Sequence, residues 1–492
     1  MGLSILFLQP SSPPYMSVMR DMAGGYGVAF PSERADYGYD DWVRPEINMG
    51  LLYCAAVAER KGRDVHFIDA QIEQLNLDNL VARVSEVNPD IVVSVINLPS
   101  IYGDLKALEV LKEHFPNTHI TGIGTVCRAL TDLVLKSNAV DTAILGAPEL
   151  VLPKLLKAIE VGNSVEKVSG IAFKMDGDIV KTSVVSPFVE DLDLLPYPAY
   201  HKVLMDRYWH HVFGKHTRCT YILSSKGCPF GCYYCPYPYG FGDRIVFREP
   251  VKVVDEIQHL QERYGIEAIV FRDQVFNARP SRTIEICNEI IRRKLQLKWF
   301  CETRLDNMTQ DVLEKMKAAG CIRVHYGVES GDPRIFSSHA KAHVNQPLKQ
   351  ILERVVMTEK MGIYAHVFIL LGLYGENWST IGNTMNMARE LRSTSIGVSI
   401  ATPYPGTRFY DEAKERGMIL TEDWSKFTGF GAVIRTEELS AQDLVKAKNM
   451  LHEVHRKAVR YKRFKQKIGL NLGRVRNGTI WNHAWRKLAD WR

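Results

Sequence analysis

Three cysteines lie close together in one short segment of the chain, at Cys228, Cys232 and Cys235. Three residues separate the first pair and two separate the second, and the apolar stretch Thr220–Leu223, which is typical of a strand, leads into the segment. Three thiolates in one loop can hold three irons of a cubane [4Fe–4S] cluster and leave the fourth iron without a protein ligand. An iron of that kind is a place where a small molecule can bind and be reduced.

Glycine and proline residues stand between these cysteines, and we expect Gly227, Pro229 and Gly231 to let the backbone wrap around a bulky inorganic core. A zinc site is the first alternative, but structural zinc takes four ligands, and no second Cys or His pair lies nearby at finger spacing. A disulfide framework is less favoured, because the other cysteines are scattered and no signal peptide is recognisable. The spacing therefore favours an iron–sulfur site over zinc.

This segment resembles the cluster loop of the radical S-adenosylmethionine (radical SAM) enzymes, whose pattern is Cys-x3-Cys-x-aromatic-Cys. Tyr234 supplies the aromatic residue here. The resemblance implies that Cys228, Cys232 and Cys235 ligate a [4Fe–4S] cluster and that SAM chelates the open iron through its amino and carboxylate groups. It also implies that Tyr234 contacts the adenine of SAM.

The composition sets limits on the class of protein. A chain of 492 residues with 46% hydrophobic and 24% charged residues predicts a soluble globular protein of about three domains. No apolar run is long enough to span a bilayer, and the first eight residues predict a buried strand rather than a signal peptide, so we expect a cytoplasmic location. The segment from Lys446 to Arg492 holds 14 Lys and Arg against two acids, whereas the whole chain has a net charge of +6. The basic character therefore belongs to the C-terminal end and not to the body of the protein.

Residues 1–160 alternate between strand-like and helix-like stretches, which predicts an α/β fold with a doubly wound, Rossmann-like parallel sheet. A Gly-, Pro- and Tyr-rich stretch from Pro10 to Pro45 is expected to be a long loop. The predicted strands are Leu3–Leu8, Val65–Asp69, Ile91–Val95, His119–Gly124 and Thr142–Gly146, and the predicted helices are Met49–Lys61, Leu77–Val87, Leu105–His114 and Leu150–Ile159. Ligands of such sheets bind outside the carboxyl ends of the strands.

This region is similar to the cobalamin-binding domain that precedes the barrel in one large radical SAM subclass. The matching residues are Gln9 in the Leu8-Gln9-Pro10 turn, Asp69, Ser94, Gly122 in the Gly122/Gly124 turn, and Gly146 with Glu149. The family usually has Gly-Gly-x-His at the Gly122 turn and Gly-Glu-x-Glu at the Gly146 turn, so both matches are partial. No His follows Asp69 at the position that ligates cobalt in mutases, which resembles the His-off binding of the subclass. Without the resemblance, this segment is equally compatible with a Rossmann-like domain that binds nothing or another nucleotide.

Residues 161–215 are predicted to form a connector, with a hairpin at 170–181 and an extended, Pro-limited link at 192–199. Residues 216–410 then show six strand–helix units, which predict a partial (β/α)6 TIM-type barrel. The predicted strands are Tyr221–Leu223, Ala268–Phe271, Trp299–Glu302, Arg323–Gly327, Ala365–Leu371 and Ser395–Thr402. Functional residues of such barrels lie at the C-terminal strand ends.

The predicted strand ends carry charged and polar residues that resemble the signatures of the cobalamin-dependent radical SAM subclass. The resemblance implies SAM contacts for Asp273 and Glu302, a bidentate pair between Arg304 and the SAM carboxylate, and hydrogen bonds from Glu329 and Ser330 to the ribose or the amino group. The alternative for each acid is a buried ion pair with a barrel Arg or Lys. Strand five departs from the family at Tyr374, where Pro is common, and at Asn377, where Thr is common.

Several residues with reactive side chains are expected to be structural. We expect His325 and His366 to be packed in the barrel wall rather than to act as ligands. The remaining cysteines are expected to be small buried hydrophobes, with Cys301 the one nearest a strand end; they are Cys54, Cys127, Cys219, Cys287, Cys301 and Cys321.

Residues 411–492 are predicted to be a small helical, basic region, with helices at Tyr410–Arg416 and Ala441–Lys467. In the second helix an apolar stripe is expected at Leu444, Met450, Leu451, Val454 and Val459. The tail carries Trp481, Trp485 and Trp491 among basic residues and suits an anionic substrate, a membrane surface or weak nucleic-acid binding. The favoured interpretation is a solvated basic helix packed on the barrel, with no nucleic-acid partner.

The resemblance implies a cobalamin-dependent radical SAM methyltransferase, in which the reduced cluster cleaves SAM to methionine and a 5′-deoxyadenosyl radical, and methylcobalamin methylates an unactivated carbon or phosphorus of a small molecule. A reductant such as flavodoxin or ferredoxin is implied as partner. The alternatives are a cyclase or ring-rearranging oxidoreductase with the same cofactors, acting on a tetrapyrrole or lipid-like substrate, and a non-catalytic cobalamin or iron–sulfur sensor.

Overall fold

The structure is a computed structural model, and it describes residues 3–13, 16–31, 46–184, 188–212, 215–337, 347–391 and 395–472, with side chains as far as Tyr461. Two seven-stranded sheets form its framework, one in the N-terminal region and one in the middle of the chain. Within the described residues, no helix combines the length and the apolar character needed to cross a membrane.

The N-terminal sheet has the strand order β4–β1–β5–β6–β7–β8–β9. Its first five strands in this order, from β4 to β7, run parallel, and β8 and β9 are antiparallel at one edge. This confirms the predicted doubly wound sheet and attaches to it the hairpin predicted in the connector. The elements of this region are β1 (Ser4–Gln9), β2 (Met16–Met19), β3 (Val28–Pro31), α1 (Met49–Arg60), β4 (Asp64–Asp69), α2 (Leu77–Val87), β5 (Ile91–Val95), α3 (Ile101–His114), β6 (His119–Ile123), α4 (Thr125–Ala129), α5 (Thr131–Lys136), β7 (Thr142–Ile144), α6 (Pro148–Glu160), β8 (Ile171–Met175) and β9 (Asp178–Lys181).

The predicted long loop is wrong for residues 16–31, which form the antiparallel hairpin β2–β3 with a glycine-rich turn between its strands. Each strand has only four residues, too few for an alternating pattern to stand out from the surrounding Gly and Pro residues. The hairpin packs over the carboxyl edge of the N-terminal sheet, where the buried Arg20 forms a salt bridge with Asp104 at 3.0 Å and donates to the Asn97 side chain at 2.9 Å. Residues 32–45 of the predicted loop lie outside the described residues.

The second sheet has the order β10–β11–β14–β15–β16–β17–β18. Strand β11 and the five strands β14 to β18 are parallel, and β10 is an antiparallel edge strand. It confirms the predicted partial barrel. Its elements are β10 (Trp209–Val212), β11 (Lys215–Ile222), β12 (Ser225–Lys226), α7 (Tyr237–Phe241), β13 (Val246–Phe247), α8 (Pro250–Tyr264), β14 (Ala268–Phe271), α9 (Pro280–Arg292), β15 (Lys298–Thr303), α10 (Gln310–Ala318), β16 (Cys321–Glu329), α11 (Pro333–Ile335), α12 (Leu348–Lys360), β17 (Tyr364–Leu371), α13 (Trp378–Glu390) and β18 (Ser395–Ile400).

Two helices follow the barrel, α14 (Arg408–Glu415) and α15 (Ala441–Leu472), as predicted. Helix α15 packs along β18 and α13 at the open side of the half-barrel. Leu444, Ala447 and Leu451 are its buried apolar residues, whereas Met450, which we expected on this stripe, is exposed. Of the other residues expected on this stripe, Val454 and Val459 are only half-buried, and the buried face also includes Lys448. The tryptophans of the tail lie outside the described residues.

Candidate functional site

The three cysteines lie in the loop that follows β11, at the carboxyl end of the first barrel strand. The backbone amide of Cys235 donates to the carbonyl of Cys232 at 3.0 Å, and the amide of Cys228 donates to the carbonyl of Gly242 at 3.0 Å. Gly227 has a φ of 96°, and a Cβ there would lie 2.0 Å from the carbonyl oxygen of Arg244, so only glycine fits. Gly231 has open space around it, so the expected need for glycine holds at the first position and not at the second.

These cysteines open onto a cavity of about 350 Å³ inside the half-barrel. Cys228, Cys232 and Cys235 all line it, together with Tyr234 and Tyr237 of the same segment. In the described part of the chain, no three His, Cys, Asp or Glu side chains converge as ligands of a single metal ion. A cubane cluster differs from such a site, because it distributes its thiolates over separate irons. Three thiols on one cavity wall are therefore a donor set that fits a cluster.

Two of the predicted SAM acids line the same cavity at the carboxyl ends of β15 and β16. Burial raises the pKa of Glu302, but the imidazole of His325, 3.9 Å away, and the charge of Arg272 outweigh burial and hold that pKa below its usual value. Glu329 has a φ of 71°, which is strained for a residue with a side chain and costs roughly 1–3 kcal/mol. Such strain clusters at functional sites, and the Glu329 carboxylate reaches the Tyr234 hydroxyl next to Cys235.

Arg304 lines the cavity too, but it has a partner within the protein. Its Nε donates to Asp306 at 2.9 Å, and its guanidinium lies 3.8 Å from the centroid of the Phe230 ring in the cysteine loop. The predicted contact with the SAM carboxylate stays a prediction, since it would have to be made alongside the ion pair with Asp306.

Asp273 and Ser330 do not line this cavity; both are buried in hydrogen-bond networks behind it. The Asp273 carboxylate accepts from the Ser224 amide at 2.8 Å, from the Ser224 hydroxyl at 2.6 Å and from the Ser225 hydroxyl at 2.5 Å. Burial raises the pKa of Asp273, against the lowering effect of Arg282 and these hydrogen bonds. Asp273 therefore fixes the start of the cysteine loop.

Ser330 holds the turn after β16. Its hydroxyl accepts from the backbone amide of Asp332 at 3.1 Å and lies 3.4 Å from the hydroxyl oxygen of Thr384.

Tyr374, the departure from the family pattern in strand five, is held by the cysteine loop: its amide donates to the Tyr233 hydroxyl at 3.2 Å. The backbone at this departure from the family pattern thus contacts the residue preceding Tyr234.

The predicted cobalamin residues lie at or near the carboxyl edge of the N-terminal sheet. Gln9 donates to Asp69 at 3.0 Å, and the Ser94 hydroxyl donates to the Val95 carbonyl at 3.4 Å. The amide of Gly146 lies 3.3 Å from the carbonyl of Gly170. Gly122 has no room for a larger residue, because a Cβ there would lie 3.0 Å from Ile96.

Glu149, at the start of α6, reaches the other domain through a 2.5 Å ion pair with Lys226 of the cysteine loop. Among the described residues, the buried Glu149 Oε2 and the buried Gln9 Oε1 accept no hydrogen bond. Unsatisfied buried acceptors are costly, so these two oxygens fit a missing polar ligand at this edge. The hairpin turn covers part of the same edge: the Leu98 amide donates to the Tyr26 carbonyl at 2.7 Å, and the Thr125 hydroxyl donates to the Gly24 carbonyl at 2.5 Å.

Sequence reasoning missed several residues that line the cavity. Met19, Met22 and Phe30 come from the hairpin, and Phe430, Lys448 and His452 come from the C-terminal region. His325 and His366 are buried as expected, yet both face the cavity. Side chains alternate between the two faces of a strand, and this alternation could have identified the two histidines. His325 lies two residues from Gly327 in β16, and His366 lies two residues from Phe368 in β17, and both of those residues line the cavity. The six cysteines outside the loop are all buried, as predicted, and Cys301 does not reach the cavity.

Residues 222–388 match the radical SAM superfamily, a range that includes the cysteine loop, strands β14 to β17 and most of α13. This part of the chain is a radical SAM domain. The chain is 27% identical over 399 residues to an uncharacterized methyltransferase of Pyrococcus horikoshii, which covers 81% of this chain and 85% of the relative. It is also 27% identical to the anaerobic magnesium-protoporphyrin IX monomethyl ester cyclase of Cereibacter sphaeroides, over 80% of this chain and 64% of that enzyme.

The fold is that of the radical SAM methyltransferase TsrM of Kitasatospora setae, a structure determined with cobalamin and a [4Fe–4S] cluster bound. The TM-score is 0.66 and the identity 18%, with 85% of this chain and 75% of TsrM covered. The superfamily match confirms the predicted radical SAM enzyme, and the predicted cluster, SAM and cobalamin are each bound in solved structures of this fold. The relatives that match this chain thus include a methyltransferase and a cyclase.

Proposed function

We propose that this chain is a cobalamin-dependent radical SAM methyltransferase that methylates an unactivated carbon or phosphorus of a small molecule. One observation carries the proposal: the three thiols, Glu302 and the strained Glu329 line a single cavity whose wall is otherwise mainly apolar. Metal ligands and charged SAM contacts at one end, with substrate space at the other, are the arrangement that such a reaction needs.

The cofactors supply the difficult chemistry when bound: an electron that cleaves SAM, from the cluster, and a methyl carrier, from cobalamin. The residues of the chain bind and position. Cys228, Cys232 and Cys235 would hold the cluster, and Tyr234 and Glu329 would form the edge of the SAM site. Glu302, whose pKa is lowered, would offer a carboxylate as acceptor for a cationic group. The hairpin and α15 each form part of the cavity wall and so reduce the access of water to it.

For cobalamin, the supporting observation is the pair of unsatisfied oxygens of Gln9 and Glu149. We expect the purified chain to retain hydroxocobalamin through desalting, and we expect Gln9→Ala with Glu149→Ala to weaken that retention without changing the iron content. Absorption spectroscopy of the desalted protein measures both. A wild-type chain that retains none would contradict the cobalamin part of the proposal.

Anaerobic reconstitution with iron, sulfide, SAM, methylcobalamin and a flavodoxin or chemical reductant tests the reaction. The proposal predicts that 5′-deoxyadenosine and S-adenosylhomocysteine both form. Deoxyadenosine without S-adenosylhomocysteine would contradict methyl transfer. Mass spectrometry of candidate substrates should then show the gain of one methyl group.

The second candidate is a cyclase with the same cofactors. It is favoured by the relative from Cereibacter sphaeroides, whose identity equals that of the Pyrococcus methyltransferase. A cyclase would give deoxyadenosine alone, so the product analysis above separates the two. A non-catalytic sensor would bind cobalamin and cleave no SAM.

A further inference from the structure

A row of polar side chains crosses the inner wall of the half-barrel. Glu302, His325, His366 and Ser395 pair with one another across β15, β16, β17 and β18 in parallel register. The two imidazole rings are 5.0 Å apart, and His366 Nδ1 lies 3.0 Å from the Ser395 hydroxyl. The row leads from the SAM end of the cavity towards the open side of the half-barrel, where α15 packs along β18.

Helix α15 adds a charged group to this end of the cavity. Lys448 and His452, one helical turn apart, both line it. Lys448 is only 5% exposed, and its ammonium donates to the Phe430 carbonyl at 3.0 Å. The buried Leu444 and Leu451 fix this face of the helix against the barrel, so the position of Lys448 is set by packing.

Apolar and aromatic groups form the rest of the wall. Phe30 of the hairpin and Phe430 have ring centroids 4.4 Å apart, and Phe368 and Leu370 face the cavity from β17. The hairpin is tied to this wall through the Ala29 amide, which donates to the Thr428 carbonyl at 3.0 Å. Burial lowers the pKa of His366 well below its usual value, helped by His325, so this imidazole is neutral and hydrogen-bonds without adding charge.

We propose that this end of the cavity is the substrate subsite, and that it takes a small molecule with an apolar, aromatic-sized body and one anionic group, which pairs with Lys448 and His452. The inference rests on the proposed function, because it assigns the substrate of that same cavity. A buried ammonium repels a cationic substrate and attracts an anion strongly where water is excluded. Burial of the body against Phe30, Phe368 and Phe430 supplies the apolar part of the affinity.

Binding of matched probes tests the subsite without any turnover. The probes are 1-naphthaleneacetate and its neutral counterpart 2-(1-naphthyl)ethanol, titrated anaerobically by naphthalene fluorescence into the full chain with reconstituted cluster and SAM. We expect the carboxylate to bind at least tenfold more tightly than the alcohol, as a charge-assisted hydrogen bond provides. A third titration with 1-naphthyl phosphate shows whether the preferred anion is a phosphate or a carboxylate.

Substitutions on α15 assign the preference to one side chain. Lys448→Met should remove the preference for the anion and leave alcohol binding, Lys448→Arg should retain most of it, and Lys446→Met, at an exposed lysine of the same helix, should leave it unchanged. Retained alcohol binding and an unchanged iron content show that Lys448→Met is folded. Equal binding of acid and alcohol by the wild-type chain, or an undiminished preference in folded Lys448→Met, would overturn the subsite. A missing S-adenosylhomocysteine product would overturn the methyltransferase and leave these affinities unaffected.

Discussion

The N-terminal sheet and the half-barrel are both built from parallel strands joined by helices, but their carboxyl edges differ. The edge of the half-barrel opens onto a cavity lined by three thiols and two carboxylates. The edge of the N-terminal sheet is partly covered by the hairpin 16–31, which is anchored there by the buried Arg20 and Asp104. The two edges therefore differ in what they contribute. The edge of the half-barrel exposes reactive groups, whereas the edge of the N-terminal sheet holds a hairpin that adds Met19, Met22 and Phe30 to the wall of the half-barrel cavity.

The largest effect is expected at the open edge. Cys235→Ala removes one of three thiolates, and we expect loss of the cluster and of all SAM cleavage, because no other side chain in the loop replaces a thiolate. Iron analysis and the yield of 5′-deoxyadenosine measure this. Cys301→Ala, at a buried cysteine outside the cavity, is the control and should keep both. Unchanged SAM cleavage in Cys235→Ala would contradict the assignment of these three cysteines as cluster ligands.

The hairpin at the edge of the N-terminal sheet should be destabilised when Arg20 is replaced. Arg20→Met leaves the Asp104 carboxylate buried without its cation, which costs about 3–5 kcal/mol of the free energy of unfolding. Arg83→Met removes an exposed arginine paired with Glu86 on the same domain and should cost about 0–1 kcal/mol. Urea denaturation compares the two variants. Equal stabilities would mean that the hairpin is not anchored by Arg20.

A smaller effect is expected behind the cysteine loop. Asp273→Asn replaces a carboxylate that accepts from three donors at Ser224 and Ser225, and should cost about 1–3 kcal/mol of stability and lower the iron content. Asp311→Asn, at an exposed acid, is the control. If Asp273→Asn keeps its full iron content but binds SAM more weakly, then Asp273 contacts SAM directly, as the sequence resemblance implied.

The last effect is a pH dependence next to the open edge. Burial raises the pKa of Glu376 to about 8, although the amides of Gly372 and Leu373 act to lower it. The folded chain therefore holds a proton that the unfolded chain releases above its ordinary pKa near 4.5, so this contribution to stability is complete at low pH and is lost as pH rises through about 8.

Glu376→Gln carries no such proton and should remove this dependence. Relative to the wild type, the variant should gain up to a few kcal/mol of unfolding free energy between pH 5 and pH 9. Denaturation at a series of pH values measures the difference, and Glu438→Gln, at an exposed acid, serves as the control. Parallel stability profiles for wild type and Glu376→Gln would contradict the raised pKa.

The parts of the fold that follow local patterns could be predicted from the sequence. Buried strands such as Ile91–Val95 and Ala268–Phe271 appear as apolar runs, and the spacing of Cys228, Cys232 and Cys235 identifies their chemistry without knowledge of the fold. Contacts between distant segments could not be predicted. The hairpin 16–31 becomes ordered by packing on Asn97 and Asp104, and its strands are too short to show a pattern.

Residue roles followed the same division. Glu329 was placed at the site from its motif, and it lines the cavity; Asp273 was placed there by the same reasoning, and it lies behind the loop. Both residues lie at the carboxyl ends of strands of the same sheet. Only the three-dimensional arrangement distinguishes a carboxylate that faces the cavity from one that hydrogen-bonds the backbone of a loop. Lys448 gave no local signal, because a lysine on a basic helix is expected in solvent; the helix packs so that this one side chain is buried.

We expect three thiolates to leave one iron of the cluster open to SAM at the edge of the half-barrel. Electron–nuclear double resonance of the reduced cluster, with SAM isotopically labelled at its amino nitrogen, detects this contact. A hyperfine coupling between the labelled nitrogen and the cluster is the predicted result, and Cys301→Ala should retain it. A reconstituted cluster whose spectrum is the same with labelled and unlabelled SAM would contradict the claim.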